Sequence, residues 1–98
     1  MVDVAVQAHP LAYAALVIAV RDRLGVRLDR VRFRCVARPS MASTCSIYIV
    51  VSDRLLTDAE RVEIVRQTEA FQVIDVVWDA APPEAFAERV VAVIEKLC

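Results

Sequence analysis

Valine at positions 2, 4 and 6 alternates with Asp3, Ala5 and Gln7, and this period of two predicts a short strand. His9 and Pro10 end it. Pro10 suits the first turn of a helix running to about Leu24, with Tyr13, Leu16, Val17, Val20 and Leu24 on one apolar stripe. Ala12, Ala15, Ile18 and Ala19 form a second apolar side, so this helix is expected to be buried on more than one side. Gly25, the only glycine, supplies its stop. From Arg30 to Arg38 the alternation returns: Val31, Phe33, Cys35 and Ala37 are expected to face the core. Arg30, Arg32, Arg34, Val36 and Arg38 take the wet face. After a loop at Pro39–Thr44, Ile47, Ile49 and Val51 alternate with Ser46, Tyr48, Val50 and Ser52. This second strand is expected to pair with the first as a hairpin.

Thr57-Asp58-Ala59-Glu60 is a capping-box pattern that opens a helix through about Ala70. Val73–Trp78 is rich in strand formers, and Pro82-Pro83 begins a last helix with Phe86, Val90, Val93 and Leu97 on one face. The order βαββαβ followed by a helix predicts an α/β (α+β) fold: a ferredoxin-like antiparallel sheet with an added C-terminal helix. Residues 1–79 would form the sheet domain. Residues 80–98 would pack on it or on a partner, and the sheet's second face, carrying the arginines, would stay open.

Composition changes this picture in one respect. A chain of 98 residues supports one core, yet 58% of it is hydrophobic, above the roughly 45–50% usual for soluble domains. A homodimer interface is the natural place for the excess. The net charge of −1 gives no bulk attraction to nucleic acid or to an anionic membrane. Cys35, Cys45 and Cys98 have neither disulfide-framework nor zinc-site spacing. The longest apolar run, Leu11–Val20, is too short to span a bilayer, and the N-terminus has no signal-peptide pattern. A cytoplasmic protein with no membrane association is expected.

Candidates for chemistry are few. His9 is the only histidine and reads as a structural or ligand-flanking residue. Asp75, between isoleucine and valine, reads as a carboxylate on the sheet's open face facing an arginine rather than a metal ligand. A single glycine excludes phosphate-cradling loops of the GxGxxG or P-loop kind. The row Arg30, Arg32, Arg34 and Arg38 invites a nucleic-acid reading, but only Tyr48 is available for base stacking. The row is instead expected to face solvent or a subunit. No catalytic residue, metal site or cofactor is expected, and Cys35 and Cys45 are read as core thiols.

Four stretches together resemble the ACT domain, and within it the short regulatory subunit of acetolactate synthase: Val2–Pro10, Arg21–Leu28, Ser46–Val51 and Val65–Val77. The likeness covers about four-fifths of the chain, Val2 to Asp79. It implies a non-catalytic regulatory subunit or amino-acid-sensing module, with a catalytic enzyme subunit as partner and a branched-chain amino acid as ligand. The implied ligand-binding residues are Gln7, Ala8, His9, Pro10 and Leu11, with Arg27 adding a charge-assisted bond. Leu11 stands where that family has glycine, so weak or absent binding is expected, strengthened by Leu11→Gly. A second resemblance, of Asp75–Pro83 and the elements before it, is to a minimal nucleotidyltransferase. Cys35-Val36 and Ser46–Tyr48 replace that family's Gly-Ser turn and aspartate pair, which implies a catalytically dead or divergent copy, and a stand-alone protein-interaction module with no small ligand is the remaining alternative.

Overall fold

The computed structural model describes residues 1–78 and 83–97. Strands β1 (Val2–Gln7), β2 (Val31–Val36), β3 (Ile47–Ser52) and β4 (Gln72–Val77) form one sheet in the order β2-β1-β3-β4. Every neighbouring pair is parallel. Helices α1 (Pro10–Leu24), α2 (Asp58–Thr68) and α3 (Pro83–Leu97) complete the fold, with a 3₁₀ turn at Gly25–Arg30 leading into β2.

Strands β1, β3 and β4 are buried on both faces. Val2, Val4 and Val6 of β1 join Ile47 and Ile49 of β3 and Ile74 and Val76 of β4 in one core. It is covered by Leu16, Val20 and Leu24 of α1 and by Phe86, Val90 and Ile94 of α3. Residues of the opposite parity, Ala5, Tyr48, Val50 and Val73, make a second core under Ile64 of α2. Helices on both faces are what a parallel sheet requires.

The connection from β2 to β3, residues 37–46, crosses β1 on the α2 side with only a 3₁₀ turn at Pro39–Met41 where such folds usually place a helix. That half of the face combines a small apolar patch, Ala5, Val36, Ala42 and Cys45, with an ion-paired cluster. Asp3 of β1 accepts Nε and Nη2 of Arg34 at 3.1 and 3.3 Å and Nη2 of Arg32 at 3.1 Å. Arg34 Nη2 also donates to the Ala42 carbonyl at 2.7 Å, tying the crossover to the sheet.

Several expectations are corrected. The sheet is parallel rather than ferredoxin-like and antiparallel, and β2 and β3 do not form a hairpin, because β1 lies between them. The second face is half covered by α2 rather than open. Cys45 is buried, but Cys35 is exposed: β2 is an edge strand, and α1 covers its face at Val31, partly at Phe33 and not at Cys35. α3 packs beside α1 on the same domain. The expected boundary at 79/80, with Pro82 and Cys98, lies outside the described residues.

Candidate functional site

In an open parallel sheet the crevice lies outside the carboxyl ends of the strands, where successive connections leave in opposite directions. Here that point is between β1 and β3: β1 continues toward β2 on one side, and β3 toward β4 on the other. Gln7 and Val50 are register partners at the crevice. A hollow of about 440 Å³ opens there on the α2 side, within the roughly 300–1,000 Å³ range of small-molecule sites. Its apolar walls are Val50, Leu56, Ala59 and Ile64, with Pro39 of the crossover. Gln7, Glu60, Glu63 and Gln67 supply polar atoms.

Gln7 is held rigidly. Its Oε1 accepts the Tyr48 hydroxyl at 2.5 Å, which leaves the two Nε2 protons as the donors it can offer a ligand. Tyr48 is fully buried, and burial raises its phenol further above the ordinary value, so it stays a neutral donor.

The carboxylates at the rim are partly neutralised. Arg54 Nη1 and Nη2 grip Glu60 at 2.8 and 2.9 Å, and the Thr57 N–H donates to Glu60 Oε1 at 3.0 Å. The Arg54 bond, then the backbone bond from Thr57, lower the Glu60 pKa to about 2. Glu63 is held by Arg66 and by Gln67 Nε2, which lower its pKa as well. Both residues stay ionised and present carboxylate oxygens at the rim, each shared with an arginine, so an ammonium group would find acceptors there.

At this end the N-termini of α1 and α2 are partly satisfied. Thr57 and Glu60 close a reciprocal capping box on α2. At α1, His9 Nδ1 accepts the Leu11 N–H at 3.2 Å, and Pro10 has no N–H to offer. An anion would therefore find few free donors.

Of the sequence-derived site residues, Gln7, Ala8, His9, Pro10 and Leu11 gather at the switch point, but only Gln7 lines the hollow. Leu11 is 77% exposed and does not line the hollow. Arg27 belongs to the 3₁₀ turn beyond the far end of α1. A helix of 15 residues separates it by about 20 Å from the switch point, and its side chain lies outside the described set. Sequence reasoning missed the α2 wall, because a hairpin between β2 and β3 would have placed α2 elsewhere. Asp75, the other candidate, is filled: its Oδ1 accepts Arg61 Nη2 at 2.5 Å and its Oδ2 accepts the Leu56 N–H at 3.1 Å. Among the described residues no three His, Cys, Asp or Glu side chains are grouped to hold a metal ion, and no helix is long and apolar enough to cross a membrane. No family model matches the chain, nor does any curated protein or solved structure match it significantly.

Proposed function

We propose that this chain is a non-catalytic sensing or regulatory domain that binds a small aliphatic amino acid in the switch-point hollow and works as a homodimer. The observation that carries the reading is Gln7, pinned by Tyr48 at the edge of an apolar hollow whose rim holds Glu60 and Glu63. An aliphatic side chain would lie against Val50, Leu56 and Ile64. The ligand's ammonium would face the glutamates, and its carboxylate would take the Gln7 Nε2 protons. The polar groups here orient a ligand; none is placed as a nucleophile beside a base.

Titrating the protein with valine, leucine and isoleucine, by calorimetry and by amide chemical shifts, tests this reading. Shifts should concentrate at Gln7, Val50 and Ile64. Gln7→Leu, which removes a donor to a charged group, should weaken binding by about tenfold or more. Absence of any shift at these residues with millimolar ligand would overturn the proposal.

A further inference from the structure

The two edges of the sheet are treated differently. At the β4 edge, the carbonyls of Val73 and Asp75, two residues apart and so on the same side of the strand, are each taken by a guanidinium. Arg61 of α2 donates to the first at 2.9 Å, and Arg89 of α3 to the second at 3.4 Å. That edge is blunted in the way proteins commonly guard strands against added pairing. At the other edge, β2 pairs with β1 alone, and none of its backbone groups is covered by a side chain among the described residues.

Charge separates the edges further. Residues 21–38 hold seven arginines against two aspartates in a chain whose total charge is −1. Arg30 and Arg38 are exposed and make no ion pair among the described residues. Arg32 and Arg34 share a single carboxylate, that of Asp3. Beside β2 a hollow of about 360 Å³ runs between α1 and the strand, walled by Tyr13, Val17, Leu28, Val31 and Phe33, with Arg21 and Arg32 also on its lining. The open edge thus offers an apolar groove with arginines around it.

We infer that the β2 edge is the docking site for an extended segment of another protein in which apolar and acidic residues alternate, added to the sheet as an outer strand. Successive side chains of an added strand fall on opposite faces. Its apolar residues would enter the groove beside Tyr13 and Phe33, its acidic residues would meet Arg30 and Arg32, and its backbone would complete the ladder. A second copy of this chain does not fit. Antiparallel pairing of β2 with itself would set the two arginine rows against each other on one face, and like charges directly opposite destabilise a sheet. A single-stranded nucleic acid would meet the same arginines, but it would leave the backbone ladder unused and bring phosphate against Asp3.

The test uses a short synthetic peptide of alternating valine and glutamate, its valine–lysine counterpart, and two N-methylated forms of the acidic peptide, each blocked along one edge. The acidic peptide should shift the β2 amide signals and slow their hydrogen exchange, and the lysine peptide should do neither. Only one edge of an added strand can face β2, so one methylated form should bind and the other should not. Arg30→Gln and Arg32→Gln should each weaken binding by about two- to fivefold, as expected for exposed ion pairs. Arg30 makes no contact whose loss could unfold the domain. The inference is overturned if the acidic peptide leaves the β2 amides unmoved, if both methylated forms bind alike, or if an oligothymidylate binds more tightly than the acidic peptide.

Discussion

Asp75 lies in the middle of β4 with 5% of its surface exposed, and both of its oxygens are used. Oδ1 holds Arg61 and Oδ2 holds the Leu56 N–H, so one side chain fastens α2 and the loop before it to the sheet. Arg61 is itself partly solvated, with 36% of its side chain exposed, which places the pair below the full cost of breaking a buried one. Asp75→Asn, which keeps an acceptor for Leu56, should destabilise by about 1–2 kcal/mol, and Asp75→Ala, which also orphans that N–H, by about 3 kcal/mol. Urea unfolding followed by fluorescence of Trp78, the only tryptophan, measures both. Equal losses for the two variants would mean that the Leu56 bond contributes nothing. That Asp75 faces an arginine was legible in the sequence. Which arginine was not, because the choice between Arg61 and the β2 row depends on strand order.

At the scale of elements, local signals read well. α1 runs from Pro10 to Leu24 and ends on Gly25 with φ 57°, a left-handed angle that suits glycine. The capping box at Thr57–Glu60 is present with both of its bonds, and it makes the start of α2 sensitive to acid. Glu60 has a folded-state pKa of about 2 against an ordinary 4.5. A depressed carboxylate adds stability that is complete above its unfolded value and is lost as pH falls through the folded one. The domain should therefore lose stability on acidification from about pH 4.5 toward pH 2, and Glu60→Gln should flatten that part of the curve while lowering stability at neutral pH. A pH series of urea midpoints reads the slope. If it is the same in the variant and the parent, Glu60 is not its source.

Strand pairing read less well. Residues 31–35 alternate because β2 is an edge strand with one face against α1 and Arg32 and Arg34 on the other, but Val36, expected on the wet face, is buried in the second core. Ile47–Val51 is an unbroken apolar run, and its first four residues are buried irrespective of parity. Such a run marks a strand covered on both faces, the habit of parallel sheets. It could have warned against the hairpin, as could the absence of an Asn-Gly or Asp-Gly turn between the two strands. Gln7 was singled out for its place before the first helix. Val50, Ile64 and Gln67 could join it only once β3 was known to lie beside β1 and α2 to cross behind them.

For the molecule as a whole, the excess of apolar residues divides between burial and exposure in a way that bears on assembly. The second apolar side of α1 is partly used within the domain: Ala19 is buried and Ala12 and Ala15 are half-buried, while Ile18 remains exposed. A more continuous apolar surface lies at the far side of the sheet. There Val62 and Val65 of α2 and Phe71 before β4, exposed by 68, 44 and 80%, border a hollow of about 300 Å³. Arg61 and Arg89 cover the β4 carbonyls next to it, so two copies meeting here would pack side chain against side chain instead of continuing the sheet. An isologous contact would set Phe71 of each copy into the other's hollow, the self-complementary arrangement a two-fold axis imposes. Light scattering at micromolar concentration should give the mass of a dimer. Phe71→Asp should give a monomer with an unchanged circular dichroism spectrum, since a substitution at so exposed a position alters stability by no more than about 0.5 kcal/mol. A monomeric parent protein would remove the homodimer altogether, and a Phe71→Asp variant that stays dimeric would remove this surface as its interface.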